Sequence, residues 1–241
     1  MTVVYASNRK WYPHLPTAVG SLLSHNPDAF VYIIGEDDEI PQIKRKKNIK
    51  ILNINDFPDY IDKTHPNATS HWTLFALVRC FLTKMIPEDK VLWLDVDTIV
   101  LADLTELWEI DMTDTAIAGW KEEPKNWVHV RQYKKKSKYV NSGVLLMNLK
   151  FIKEQGFDDE FIKCLNGAPL KNPDQDALNI VCDGYIKYIG AEYNYGYITP
   201  KYERMWFKKV KIYHMTWYKL WDNPRSGPWG LWESYYRETL W

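Results

Sequence analysis

The chain has 241 residues, long enough to bury roughly 70–75% of its unfolded surface in one large domain. Hydrophobic residues make up 46% and charged residues 26%, which excludes disorder for the bulk of the chain. Lys plus Arg and Asp plus Glu each total 31, and a net charge of zero speaks against non-specific nucleic-acid binding, which needs excess cations.

Residues 3–7 are short, apolar and β-branched at the start, and predict a strand. Leu15, Val19, Leu22 and Leu23 have helical spacing after Pro13, so residues 13–25 predict a helix. Strands follow at 30–35 and 49–54, then a helix at 72–85. Residues 91–94, Val-Leu-Trp-Leu, are apolar at every position, as in a strand covered on both faces. Further strands are expected at 115–119, 143–147 and 211–214, and helices at 151–165 and 174–182. Strands alternating with helices and no internal repeat predict a single α/β domain with a mainly parallel sheet. Such sheets bind ligands at the carboxyl ends of their strands. Ser7-Asn8, Asp95-Val96-Asp97 and His214 stand at such ends.

Asp95 and Asp97 close the most hydrophobic strand. At spacing two on an extended chain both side chains share one face, with Val96 opposite. Paired carboxylates repel unless a cation lies between them, and oxygen ligands suit Mg²⁺ or Mn²⁺. The alternative is a solvated turn. A neutral imidazole from His214 could complete an Asp/Asp/His site, although a lone His is more often structural. Asp174-Gln175-Asp176 follows Asn172-Pro173 and opens a helix, where capping alone accounts for carboxylates. Arg131, Lys134, Lys135, Lys136 and Lys138 form a basic run, read as a solvated loop or as a lid drawn to phosphates.

The 12 Trp, 16 Tyr and 8 Phe imply either a bulky core or a surface that stacks on sugars or bases. Cys80, Cys164 and Cys182 are odd in number and widely spaced, which fits a reducing compartment. The N-terminus lacks the apolar core of a signal peptide and no run reaches ~18 apolar residues, so a soluble, cytoplasmic protein is expected. Asn67-Ala68-Thr69 spells a glycosylation acceptor, read as chance without a secretion signal.

Four segments in order carry a resemblance: Leu92-Trp-Leu-Asp-Val-Asp-Thr-Ile-Val, Leu104-Thr-Glu-Leu-Trp108, Tyr139-Val-Asn-Ser-Gly-Val-Leu-Leu-Met-Asn-Leu149 and Pro173-Asp-Gln-Asp-Ala-Leu-Asn179. Together they resemble glycosyltransferase family 8, the group of glycogenin and the bacterial lipopolysaccharide galactosyl- and glucosyltransferases. The resemblance implies a GT-A fold, a UDP-sugar donor, a Mn²⁺ ion (with Mg²⁺ possible) and transfer of a glucose or galactose to a saccharide or protein acceptor with retention. It divides the domain into a nucleotide-binding half (1–100), a sugar and acceptor half (101–221) and an aromatic C-terminal segment (222–241). Asp95, Asp97 and His214 match its metal ligands, and Val96 lies between the first two. Lys219 falls at the lysine that contacts the diphosphate. Arg79, Asn141, Ser142 and Asp174 match residues near the donor sugar. Gln175 matches the residue facing the reacting carbon, with Asp176 in the same motif. Trp11 falls where an aromatic covers the base, and Ala6, Ser7 and Asn8 lie in the base pocket.

Two departures stand out. Where the family has an acidic, amide-rich stretch, this chain has Asn8-Arg9-Lys10-Trp11. Asn8 can still accept a bond from uracil N3–H. The C-terminal motif, His214-Met-Thr-Trp-Tyr-Lys219, is one residue short, with Trp217 near the expected Gly. Beyond it, Trp229, Trp232 and Tyr236 share helical spacing, as a packed helix, an acceptor platform or a contact in a homo-oligomer. The competing functions are a non-catalytic nucleotide- or carbohydrate-binding module and a transferase using another donor, such as a GDP-sugar. A nucleotidyltransferase would need a Gly-rich phosphate loop, which the first strand lacks.

Overall fold

A computed structural model describes residues 1–69, 74–123, 128–130, 136–196, 207–216, 219, 221, 230 and 232–235. The strands are β1 (Thr2–Ala6), β2 (Phe30–Gly35), β3 (Ile49–Asn53), β4 (Lys90–Leu94), β5 (Thr98–Val100), β6 (Ile117–Lys121), β7 (Val140–Asn148), β8 (Ile186–Tyr188), β9 (Tyr195–Gly196) and β10 (Ile212–His214). The α-helices are α1 (Leu15–His25), α2 (Leu74–Leu77), α3 (Leu82–Met85), α4 (Thr105–Trp108), α5 (Leu149–Glu154), α6 (Phe157–Leu165) and α7 (Pro173–Val181). The chain forms two compact units. One comprises Met1–Ile54, Leu94–Glu109 and Gly190–Trp241; the other comprises Asn55–Trp93 and Ile110–Ile189.

In the first unit β1 and β2 run parallel from Thr2↔Phe30 to Ala6↔Ile34, and β3 joins β2 from Val31↔Ile49 to Gly35↔Asn53. Val3, Val4 and Tyr5 are buried without an exposed face, the pattern of a strand covered on both sides. α1 packs Leu15, Val19 and Leu22 inward and carries polar staples as well. Ser21 Oγ accepts from the Val100 amide (3.0 Å), and Asn26 Oδ1 accepts from the Leu104 amide (2.8 Å). These bonds hold β5 against α1. A small sheet of order β5-β10-β9 completes this unit.

The second unit carries strands in the order β4-β7-β6-β8. β6 pairs antiparallel with β7 and parallel with β8. Its core includes Leu77, Trp93, Val144, Leu146, Phe161 and Leu178.

The expected strands and helices recur with shifted ends. Two helices differ in kind. The helix expected at 72–85 is α2 and α3 joined by a 3₁₀ turn at Val78–Phe81, and Trp72 lies outside the described residues. The helix expected at 151–165 is two, α5 and α6, parted at Gly156, whose φ of 67° is left-handed and favours glycine. The periodicity ran on because both pieces bury an apolar face. Trp93, Trp120, Tyr5 and Tyr139 lie at 2% exposure or less, so much of the aromatic excess is core.

Candidate active site

Asp95 follows β4, and the chain turns at once. The Thr98 amide donates to Asp95 O (3.1 Å), as does the Thr98 hydroxyl (2.7 Å). The two carboxylates therefore share a tight turn rather than one face of an extended strand, which corrects the spacing argument. β5 then pairs antiparallel with β10, with His214 opposite Thr98, and the Met215 amide donates to Asp97 O (2.9 Å). This ladder is what brings His214 to the aspartates. Its Nε2 lies 3.3 Å from Asp97 Oδ1 and 3.7 Å from Asp95 Oδ2. One ligand atom from each of the three residues lies within 4.8 Å of the others.

The tautomer of His214 is set from behind. Its Nδ1 lies 2.8 Å from Oδ1 of Asn194, a fully buried side chain. An amide oxygen only accepts, so Nδ1 carries a proton and Nε2 is the nitrogen turned to the cluster, where a bound cation would take the place of any proton on it. Two carboxylates and an imidazole nitrogen are a donor set that fits Mn²⁺ or Mg²⁺. Lys219 Nζ contacts Asp97 Oδ2 and donates to Met215 O (2.7 Å). Burial opposes ionisation of Asp97, but Lys219 and His214 outweigh it and hold its carboxyl below the usual range. Asn194 had no sequence signal. Gly196 has a structural one: a Cβ there would lie 2.1 Å from His214 O, so only glycine lets β9 pair so closely with β10.

The base-pocket segment lies at the end of β1. Ala6 and Ser7 are buried, and the Ser7 amide donates to Ile34 O (3.0 Å). Asn8 Oδ1 is buried and has no hydrogen-bond partner among the described residues. Arg9 replaces an acidic residue of the family pattern but binds acids itself. Its guanidinium donates to both Asp37 oxygens (2.9 and 2.6 Å), and its amide donates to Glu36 (2.7 Å). Trp11 meets Trp221 edge-on at 5.2 Å between centroids. His14 stacks on Trp221 at 3.8 Å. Trp221 in turn touches Trp232, which is buried on Ile99 and Met215, and Tyr235 OH lies 2.8 Å from His25 Nε2. For Trp232 the packing alternative is the one observed. Trp217, Trp229 and Tyr236 lie outside the described residues.

The remaining expected residues gather in the second unit. α7 begins at Pro173 and presents Asp174, Gln175 and Asp176 in its first turn. Asp174 Oδ2 accepts from Ser142 Oγ (2.8 Å) and lies 3.3 Å from Arg79 Nε. Arg79 is itself buried, bonds Ser142 O and Ala76 O, and lays its guanidinium 4.5 Å from the Trp93 ring centre. Gln175 Oε1 accepts from the Ser142 amide (2.9 Å) and from Asn141 Nδ2 (3.2 Å). Asp176 is fully buried. It accepts from Tyr139 OH and the Asn172 amide (2.9 Å), with His129 Nε2 at 3.0 Å. Its bond to the Asn172 amide, four residues back, caps one free N–H at the start of α7, while the Asn172 side chain makes no cap bond of its own. Burial and Asp176 push the Tyr139 hydroxyl far above its ordinary pKa, so it acts as a donor. Neither Tyr139 nor His129 was singled out as a site residue from sequence.

Of the basic run, Arg131, Lys134 and Lys135 lie outside the described residues. The Lys136 and Ser137 amides donate to Asp183 (3.0 and 2.8 Å), and the Lys138 amide to Tyr188 OH (2.7 Å), so this end of the run is pinned.

A profile of the family described as "Glycosyl transferase family 8" matches residues 2–224. The chain belongs to glycosyltransferase family 8. It is 26% identical over 263 residues to glycosyltransferase GlyF of Streptococcus pneumoniae, covering 100% of this chain and 60% of that protein. It is 23% identical over 185 residues to a lipopolysaccharide 1,2-glucosyltransferase of Escherichia coli, covering 70% and 53%. The chain thus spans little more than half the length of these relatives. Among solved structures it resembles the galactosyltransferase LgtC in complex with donor and acceptor sugar analogs (TM-score 0.77, 20% identity, 99% of this chain and 96% of that one). The expected GT-A fold is therefore the fold observed. No helix among the described residues is long and apolar enough to cross a membrane.

Proposed function

We propose that the protein is a metal-dependent glycosyltransferase that moves a hexose, glucose or galactose, from a UDP-sugar to a saccharide or protein acceptor with retention of configuration. The observation that carries this reading is the convergence of Asp95, Asp97 and His214, with the His214 tautomer held by Asn194. Departure of the nucleoside diphosphate leaves negative charge on its terminal oxygens. The Lys219 ammonium is positioned to stabilise that charge, and the buried Thr216 hydroxyl, which has no partner among the described residues, can donate to a phosphate oxygen. A divalent ion held by Asp95, Asp97 and His214 would add Lewis-acid stabilisation of the same charge. Asn8 Oδ1, buried and without a partner among the described residues, suits the N3–H donor of uracil. In the second unit Arg79 pairs with Asp174, which would accept from sugar hydroxyls, while the Gln175 carboxamide supplies a dipole beside the reacting carbon. An amide is a poor nucleophile, so no covalent sugar–enzyme intermediate is expected.

Calorimetric titration of UDP and GDP, each with Mn²⁺ and with chelator, tests the proposal. Mn²⁺-dependent UDP binding that is lost in Asp97→Ala is the expected result. A preference for GDP would overturn the base assignment. Binding of neither nucleotide would overturn the transferase reading in favour of a module without donor chemistry.

A further inference from the structure

Lys219 grips the carboxylate of Asp97, one of the three groups that converge as a metal-ligand set. Its Nζ contacts Asp97 Oδ2 and donates to Met215 O (2.7 Å). The Met215 amide donates in turn to Asp97 O (2.9 Å). Three bonds thus close a ring through Asp97, Met215 and Lys219. The other carboxylate oxygen, Asp97 Oδ1, faces His214 Nε2 at 3.3 Å. Asp97 is buried and Lys219 half-buried, so salt and water screen their attraction less than at a surface.

This contact sets two cations against each other. An ammonium and a divalent ion that approach one carboxylate oxygen lie within a few ångströms, where like charges in a partly buried site repel strongly. Lys219 has three N–H donors on a flexible four-carbon stem, so it can leave Asp97 and still hold Met215 O. What differs between ligands is the acceptor offered to the released N–H. A diphosphate brings negative oxygens that replace the lost carboxylate. A bare ion brings none and leaves the ammonium beside a second positive charge.

We propose that Lys219 is a rival cation at Asp97, so that the site takes up a divalent ion together with a nucleoside diphosphate in preference to the bare ion. The inference rests on the reading of Asp95, Asp97 and His214 as metal ligands and of Lys219 as a diphosphate contact. Linkage makes the coupling reciprocal: the factor by which the diphosphate raises metal affinity is the factor by which the metal raises diphosphate affinity.

The test is a Mn²⁺ titration followed by electron paramagnetic resonance, without nucleotide and with UDP saturating. It compares the wild-type chain with Lys219→Met, Lys219→Gln and Lys211→Met, each checked by thermal melting. Lys211 Nζ pairs with Glu106 Oε2, so its loss removes the same charge without touching Asp97. Without nucleotide, both Lys219 variants should bind Mn²⁺ roughly 10- to 100-fold more tightly than wild type. With UDP saturating, that advantage should disappear. UDP affinity measured with Mn²⁺ present should fall in the same variants, so the two affinities move in opposite directions. Nucleotide-free Mn²⁺ affinity that is unchanged or weaker in the Lys219 variants overturns the proposal. An equal gain in Lys211→Met overturns it as well, because net charge would then be the cause. Lys219→Gln keeps a donor for Met215 O and decides the matter if Lys219→Met fails to fold. A wild-type chain that binds no Mn²⁺ even with UDP overturns the metal-dependent reading itself, and is recognised before any variant is compared.

Discussion

Replacing Asn194 should weaken the metal site without touching a ligand. Asn194 Oδ1 is the acceptor 2.8 Å from His214 Nδ1, and both side chains are buried, at 0% and 4% exposure. In Asn194→Ala the Nδ1–H loses its partner away from water, which costs about 1–3 kcal/mol. The ring can avoid that cost by moving its proton to Nε2, but Nε2 is then a donor and no longer a ligand. Either route reduces metal affinity. Loss of such a supporting bond lowers affinity by roughly 10–100-fold, or about 1.4–2.7 kcal/mol. Asn194→Asp keeps an acceptor at the same reach and should retain most of the affinity. The assay is a Mn²⁺ titration followed by electron paramagnetic resonance with UDP saturating, beside thermal melting of each variant. Unchanged Mn²⁺ affinity in an Asn194→Ala protein that melts normally would refute the tautomer argument. Equal loss in the Asp and Ala variants would refute it too, because packing rather than the accepted proton would then be the cause.

Two other substitutions probe the remaining parts. Arg79→Met strands Asp174 in a buried site, and urea denaturation should show a loss of about 3–5 kcal/mol; a loss below about 1 kcal/mol would deny the ion pair any structural weight. Asn8→Leu should lower UDP affinity by roughly 10-fold and erase its advantage over CDP, as expected if one buried acceptor reads N3–H. An intact preference for UDP in that variant would move base recognition elsewhere.

The elements legible in the sequence were those with a local signal. β1, β2 and β4 read as strands because both faces are covered, so no polar residue interrupts them. The short strands β5, β8 and β9 did not, because two or three residues carry no periodicity. Asp95 and Asp97 were legible as a pair, yet their geometry was misread, since a turn and an extended chain can present the same two residues. His214 was legible only as a strand end. Its neighbours come from the β5–β10 register, which no local pattern encodes.

The residues that escaped share a physical reason. Asn194, Glu122, Tyr139 and His129 act by gripping another polar side chain, and such pairings span tens of residues or arise from a bulge. Glu122 illustrates this well. Its Oε1 accepts from Asn141 Nδ2 (3.0 Å) and Gln175 Nε2 (3.2 Å). The strand before it was expected to end at Gly119, but the slip at Trp120 extends β6 to Lys121 and brings Glu122 to these amides. Motif residues define which atoms are present; the gripping residues decide which edge of an imidazole or amide faces outward. A family can keep the first set while the second varies, so donor and acceptor choice should follow the second. In this chain the place to look is therefore the Arg9–Asp37 pair that stands where the family pattern has acids.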